Sequence, residues 1–165
     1  MRGTIRDRLS LNVQAQLIGR AGELGALRRA LAERVLIVVH LHGLSGIGKS
    51  AVAAAFVEEV RSSGATALTI ECEAVEPTER GVLHELGRLL GCNGQRDEVA
   101  IALAGLASPA LLVFDTYEVF GLLDAWMRQV LLPALPDRVL VLLASRLPPA
   151  DAWTLGERSP QRAKL

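Results

Sequence analysis

The sequence predicts an α/β domain of three layers, in which helices cover both faces of a mainly parallel sheet. Three observations support this fold class. Apolar, strand-like runs alternate with helical patterns, the runs lack the polar alternation of half-exposed strands, and a glycine-rich turn follows the first run. Because the chain has 165 residues and 50% of them are hydrophobic, it can form one domain with a sizeable core.

The strands and helices can be placed along the chain from hydrophobic periodicity and from glycine and proline punctuation. The predicted strands are residues 35–41, 65–70, 111–114 and 139–144. The predicted helices are residues 22–33, 50–61, 78–90, 97–106 and 120–132. We therefore expect a lead-in over residues 1–16, the α/β domain over residues 17–150 and an uncommitted polar tail over residues 151–165.

Composition excludes several classes of function. The formal net charge of zero gives no clustered basic face, so no direct nucleic-acid binding is evident. No apolar run approaches the roughly 18 residues of a membrane span, and no signal peptide is recognisable. Cys72 and Cys92 lack metal-binding spacing and are expected to be buried, reduced thiols. We expect a soluble, cytoplasmic protein.

The strongest motif is a glycine-rich loop that follows the first predicted strand. It has the P-loop spacing of two glycines, five positions apart, followed by Lys and Ser. Its glycines allow backbone N–H groups to point at phosphate oxygens, Lys49 is expected to reach the β- and γ-phosphates, and Ser50 to bind Mg²⁺. The residues predicted to bind the nucleotide here are Gly43, Leu44, Ser45, Gly46, Ile47, Gly48, Lys49, Ser50 and Ala51.

A glycine-rich turn with a chance lysine is the alternative interpretation of this loop. An apolar strand precedes the loop and a helical pattern follows it, which is the context that a phosphate-binding loop requires. We therefore predict binding of a nucleoside triphosphate, ATP with Mg²⁺.

Two acidic residues after the third predicted strand are candidates for catalysis. Asp115 ends the strand at residues 111–114, at the edge of the sheet where ligands bind, and is predicted to hold Mg²⁺ directly or through water. Its alternative role is that of a strand-capping residue in a turn. Glu118 is expected either to orient the attacking water or to be a solvated residue at a helix start.

Three segments, taken in order, carry a family resemblance. They are the sequence Leu17-Ile18-Gly19-Arg20 with Glu23-Leu24, the phosphate loop with the acidic strand end, and Leu142-Leu143-Ala144-Ser145-Arg146. Over residues 17–150 this order resembles the STAND NTPases, which are signal-transduction ATPases related to the AAA+ class. The resemblance implies a P-loop NTPase core.

The resemblance also implies roles for residues outside the loop. Ile18, Gly19 and Arg20 would lie near the adenine, and Arg146 would approach the γ-phosphate as a catalytic residue. Two simpler alternatives stay open. Arg20 would then pair with Glu23 across a helix start, and Arg146 would be a solvated loop cation.

The chain departs from the family pattern in two respects. Thr116 stands where many AAA+ motors have a catalytic carboxylate, which favours slow turnover. The helical lid, winged-helix element and effector region that the family normally carries are not recognisable before Leu165. The second departure leaves apolar surface that would favour self-association.

The leading hypothesis is a slow, Mg²⁺-dependent ATPase that acts as a regulatory switch in signal transduction or transcription control, with a regulatory protein or a second copy as partner. The first alternative is a nucleotide-binding module or truncated remnant without useful hydrolysis. A small-molecule kinase is disfavoured because such enzymes usually begin close to their P-loop, whereas this loop begins at residue 43. ATP is preferred to GTP because no Asn/Thr-Lys-x-Asp segment is present.

Overall fold

A sheet of five parallel strands forms the centre of the fold. The computed structural model describes residues 19–33, 37–107, 109–137 and 139–153, and the backbone of residues 161–164. The order of the strands across the sheet is β2-β3-β4-β1-β5, and each neighbouring pair is parallel. In chain order the strands are β1 (Ile37–His42), β2 (Thr66–Glu71), β3 (Ala110–Asp115), β4 (Val139–Ser145) and β5 (Gln161–Lys164).

Helices follow the strands in the order that the sequence predicts. The four regular helices among the described residues are α1 (Ala21–Ala32), α2 (Lys49–Ser62), α3 (Glu79–Leu90) and α4 (Arg96–Ala104). Short 3₁₀ turns lie at Cys72–Ala74 and Asp151–Trp153. None of the helices in the described part of the chain is long and apolar enough to cross a membrane.

The predicted helix at residues 120–132 is instead an irregular helical segment over residues 117–134. It begins as a 3₁₀-helix, passes through a π-helical stretch and ends in a short α-helical turn. Phe120 leaves helical geometry, with φ −89° and ψ 17°. Pro133 has no N–H to donate to the carbonyl four residues earlier, so the regular hydrogen-bond ladder cannot continue through it.

Alternate side chains of β1 to β4 enter two separate hydrophobic clusters, one on each face of the sheet. The first cluster contains Leu27 of α1 and Phe56 of α2, which pack on strand residues such as Val113. The second contains Leu86 of α3 and Phe120 of the helical segment, with residues from α4 and from the opposite face of the strands. Because helices cover both faces, the predicted three-layer α/β class with a parallel sheet is confirmed.

The predicted lead-in at the N-terminus and the predicted tail at the C-terminus are described to different extents. The predicted lead-in over residues 1–16, and residues 35 and 36 of the first predicted strand, lie outside the described residues. Within the predicted polar tail, β5 pairs in parallel with β1, in the register Val39↔Gln161 to His42↔Lys164. This pairing joins residues about 120 positions apart in the chain, so no local pattern indicates it.

Candidate functional site

The loop between β1 and α2 has the backbone geometry that its glycines permit. Gly46 and Gly48 have φ of +78° and +96°, which side-chain-bearing residues rarely adopt. Gly48 occupies the N-cap position of α2, and no side chain caps this end of the helix. The first N–H groups of α2 are therefore available to an anion at the loop, together with the positive end of the helix dipole.

Lys49 is folded back into the loop. Its side chain is 9% exposed, and Nζ donates hydrogen bonds of 2.9 Å to the carbonyl oxygens of Gly43 and Leu44. A buried ammonium requires such partners, because burial without them carries a large desolvation cost. The loop thus holds one positive charge at its centre, beside the N-terminus of α2.

A cleft of about 200 Å³ opens beside this loop at the carboxyl ends of β1, β3 and β4. It brings together the predicted residues Lys49, Ser50, Asp115, Glu118 and Arg146, which come from three separate parts of the chain. Gly43, Leu44 and Ile47 belong to the loop but do not line the cleft. The full lining is Ser45, Gly46, Gly48, Lys49, Ser50, Ala51, Asp115, Thr116, Glu118, Ala144 and Arg146.

Ser50 and Asp115 present oxygen atoms to this cleft from α2 and from the end of β3. Magnesium prefers oxygen ligands, and in nucleotide sites it takes one or two from the protein and the rest from phosphates and water. Among the described residues, no group of three or more His, Cys, Asp or Glu side chains forms a metal site. The pair Ser50 and Asp115 therefore fits a magnesium ion that arrives with a nucleotide.

Glu71 is a carboxylate beside Asp115 that the sequence patterns did not single out. Glu71 ends β2 and is the register partner of Asp115 in β3. Partial burial of the carboxylate raises the pKa of Glu71, and the negative charges of Asp115 and Glu73 raise it further. Its only sequence signal is its place at the end of a predicted strand, and its pairing with Asp115 depends on the strand register.

Thr116 makes a sharp turn directly after Asp115. It has φ 57° and ψ 43°. Among the described residues other than glycine, it alone has a positive φ. Its N–H donates a 2.9 Å hydrogen bond to Oδ1 of Asp115, which fixes the carboxylate at the strand end. The turn also redirects the chain, so that the residue after Asp115 does not continue the strand.

Glu118 and Arg146 contact each other across the cleft. Oε2 of Glu118 accepts a 3.1 Å hydrogen bond from the backbone N–H of Arg146. Oε1 lies 3.0 Å from Nε of Arg146, so the two atoms form an ion pair. The geometry of this contact does not meet that of a hydrogen bond. The Glu118 side chain is 17% exposed and that of Arg146 is 56% exposed, so the arginine is the more accessible partner.

Arg20 lies against the phosphate loop. Its Nη2 donates a 2.5 Å hydrogen bond to the carbonyl oxygen of Ile47, and its Nη1 pairs with Glu23 at 3.2 Å. Gly19 precedes it in a turn with φ +84°. The pairing with Glu23 and the contact with the loop thus coexist, while Ile18, predicted to lie near the adenine, is outside the described residues.

The chain is similar to known proteins in sequence and in fold. No protein-family model matches the chain. The signal recognition particle protein of Mycobacterium leprae (strain TN) is 31% identical over an alignment of 152 residues, and the match covers 79% of this chain and 29% of that protein. The chain thus spans less than a third of the length of this relative.

Similar solved structures include the ORC1 protein of Aeropyrum pernix in complex with DNA and the Drosophila ORC bound to DNA. The first has a TM-score of 0.64 and 20% identity, covering 88% of this chain and 44% of that chain. The second has a TM-score of 0.61 and 22% identity, covering 90% and 42%. The chain has the P-loop NTPase fold.

At these identities the similarity concerns the fold and not the activity or the partners of those proteins. A P-loop NTPase fold generally binds a nucleotide with Mg²⁺ at the loop after its first strand. In this chain that position is the loop at residues 43–50, where the cleft lies.

Proposed function

We propose that the chain is the ATPase core of a slow, Mg²⁺-dependent regulatory switch of the STAND type. The observation that supports this most directly is the single cleft that gathers Lys49, Ser50 and Asp115 beside the ion pair of Glu118 and Arg146. The first three residues serve phosphate and metal binding. The ion pair offers a contact that can differ between the triphosphate and diphosphate states.

Nucleotide binding follows from the charges at the loop. The phosphates meet the N–H groups at the start of α2, and the Lys49 ammonium contributes a positive charge that the protein already holds in place. Ser50 and Asp115 would hold Mg²⁺, which neutralises charge on the phosphate oxygens. Gly19 and Arg20, together with Ile18, would contact the adenine side, with Arg20 positioned through its bond to the Ile47 carbonyl.

The switch rests on competition for Arg146. Its guanidinium pairs with one carboxylate, Glu118, and is about half exposed. A γ-phosphate in the cleft would attract the same guanidinium and weaken the pair, whereas ADP lacks that group. A conformational change requires such a difference in contacts between the two ligand states. Release of Glu118 would then be the local event that a regulatory protein or a second copy detects.

The phosphate-binding part of the proposal is tested by titrating a fluorescent ATP analogue with Mg²⁺. We expect Lys49→Ala to weaken binding by about 30- to 150-fold, the effect of losing a charged hydrogen bond of about 2–3 kcal/mol. Ser50→Ala should weaken binding only when Mg²⁺ is present. Ser63→Ala is the matched control, because it removes a serine hydroxyl at the opposite end of α2. In the wild type that hydroxyl donates a hydrogen bond to the Val60 carbonyl oxygen. Equal binding by wild type and Lys49→Ala would refute the site.

Hydrolysis decides between the switch and a binding module without useful turnover, which Thr116 supports as a second candidate. We expect phosphate release slower than about 1 per second, at the low end of typical enzymes, and its loss in Lys49→Ala and Asp115→Ala. Binding without release would favour the module. Competition between ATP and GTP tests the choice of base, and transfer of labelled phosphate to a metabolite would instead indicate a kinase.

A further inference from the structure

We propose that Glu71 is the residue that orients the attacking water, a task for which Thr116 has no carboxylate. This inference rests on the proposed ATP hydrolysis. It concerns a strand, β2, that contributes none of the residues assigned to the site so far.

Glu71 and Asp115 lie on the same face of the sheet, the face covered by α2. Residues two apart in a strand share a face, and Val113 packs in the cluster that contains α2, so Asp115 is directed to that side. Ala67 of β2 belongs to the same cluster, and Glu71 follows it by four residues. Since the two carboxylates are register partners on adjacent parallel strands, their backbones are roughly 4.8 Å apart.

The N-terminus of α2 lies next to this pair. Glu71 and Asp115 line one groove of about 290 Å³ together with Ser50, the residue that fits magnesium from the helix side. Asp115 and Ser50 also line the nucleotide cleft. Glu71 therefore lies one strand away from Asp115, in a groove that shares Ser50 and Asp115 with the nucleotide cleft.

The other carboxylate of the site is already engaged. Glu118 accepts a hydrogen bond from the Arg146 backbone N–H, a contact that does not involve the guanidinium for which a γ-phosphate would compete. None of the ion pairs among the described residues includes Glu71, which is exposed. Two adjacent carboxylates at a strand end repel each other. A cation held by Asp115 would relieve that repulsion and would leave the Glu71 carboxylate available to a water.

The step that Glu71 supports is the attack of water on the γ-phosphate. The water oxygen forms a bond to the γ-phosphorus, and the bond from that phosphorus to the bridging oxygen breaks. The electron pair of the broken bond goes to ADP, and the proton of the water passes to an oxygen of the released phosphate. Glu71 accepts a hydrogen bond from the water and fixes its direction, and it stays a carboxylate throughout.

The test compares Glu71→Gln with the wild type in single-turnover phosphate release, binding of the fluorescent ATP analogue and thermal unfolding. We expect release to slow by about 100-fold, because the attacking water loses the group that orients it, while affinity stays within about twofold. Glu71→Asp should keep an intermediate rate. Glu73→Gln is the matched control: it removes the same charge two residues away and should hydrolyse at close to the wild-type rate.

The outcomes separate this inference from the proposed function. Wild-type release by Glu71→Gln, with release lost in Asp115→Ala, would overturn the role of Glu71 and leave the ATPase intact. A parallel loss of affinity and rate in Glu71→Gln would also overturn it, because it would show a structural or metal-binding role. Wild-type protein that binds without hydrolysing would overturn it and leave a binding module. Failure of the wild type to bind would overturn both.

Discussion

At the scale of single residues, the site combines groups that the chain already holds in place. The Lys49 ammonium donates to two loop carbonyls, so no large movement is needed for it to meet a phosphate at the same loop. Arg146 differs, because in the proposed switch a nucleotide would have to compete with Glu118 for it. Lys49 would then be a preorganised binding group and Arg146 a group that changes partner, which is the distinction that a switch requires.

The two cysteines provide a residue-scale prediction, because only one of them is fully buried. Cys72 has no exposed surface and Cys92 is partly exposed. Burial, followed by the charges of Asp115 and neighbouring carboxylates, raises the pKa of Cys72 far above that of an ordinary thiol. We expect DTNB to modify Cys92 in the native protein at pH 8 and Cys72 only after unfolding in guanidinium.

The control for this experiment is Cys92→Ser, which should show almost no reaction in the native state. Raising the pH from 8 to 9 should not make Cys72 reactive, since its pKa lies higher still. Rapid modification of both thiols in the folded wild type would contradict the buried environment of Cys72.

At the scale of elements, α3 depends on a glycine in its first turn. The Thr78 hydroxyl caps the helix by accepting a 3.1 Å hydrogen bond from the Gly81 N–H. A methyl group at Gly81 would come within 2.2 Å of the Glu76 carbonyl oxygen, so the backbone before the helix would have to shift. We expect Gly81→Ala to lower the free energy of unfolding by about 1–3 kcal/mol, measured by urea titration followed by circular dichroism.

Gly121→Ala is the matched control for that substitution. An added methyl group at Gly121 meets no atom within 4 Å, and the residue lies in the helical segment 117–134. We expect its stability to stay within about 0.5 kcal/mol of the wild type. If Gly81→Ala proved as stable as this control, the close approach of α3 to Glu76 would be refuted.

At the scale of the whole molecule, Trp153 connects the C-terminal part of the chain to the segment that follows the site. It is 5% exposed, and its Nε1 donates a 2.6 Å hydrogen bond to Oδ1 of Asp124, which also accepts from the Tyr117 hydroxyl. The Trp153 ring packs edge-on against the ring of His40 in β1, with 4.7 Å between the two ring centroids. This one side chain thus contacts β1 and the helical segment 117–134 at once.

Trp153→Phe should therefore cost more stability than the same change at Trp126. Trp153→Phe removes a hydrogen bond to a carboxylate, which should lower the free energy of unfolding by about 1–3 kcal/mol. In the described structure the buried Nε1 of Trp126 has no hydrogen-bond partner, so Trp126→Phe gives up no such bond. Urea unfolding of the two variants measures the difference, and an equal loss in both would show that the bond to Asp124 contributes little.

Nucleotide binding should also stabilise the whole fold, since the cleft joins three strand ends and α2. With Mg-ATP at about 100 times its Kd, the folded state gains about 2.7 kcal/mol, which raises Tm by about 5–10 °C for a domain of this size. Differential scanning fluorimetry measures this shift. The same addition should raise the Tm of Lys49→Ala by no more than about 3 °C, because the ligand then only about matches the weaker Kd of the variant. An equal rise in that variant would place the binding elsewhere.

Local signals in the sequence were sufficient for the fold class and for the phosphate loop. The buried strands β3 and β4 are continuous apolar runs, and the loop motif is contained within eight neighbouring residues, so each could be recognised without knowledge of the rest. Asp115 was also predictable, because the carboxyl end of a parallel strand has a known place in such sheets. Their roles in binding and hydrolysis stay predictions.

Only the tertiary structure decided which distant residues meet. The pairing of Glu71 with Asp115 depends on strand register, and that of Glu118 with Arg146 depends on how the segment after β3 turns towards the end of β4. The addition of β5 beside β1 depends on an edge that the rest of the sheet leaves open. Hydrophobic periodicity and motif spacing act over a few residues, whereas these contacts arise from packing between elements that are far apart in the chain. The sequence by itself therefore determined the phosphate loop, and the tertiary structure determined which residues surround it.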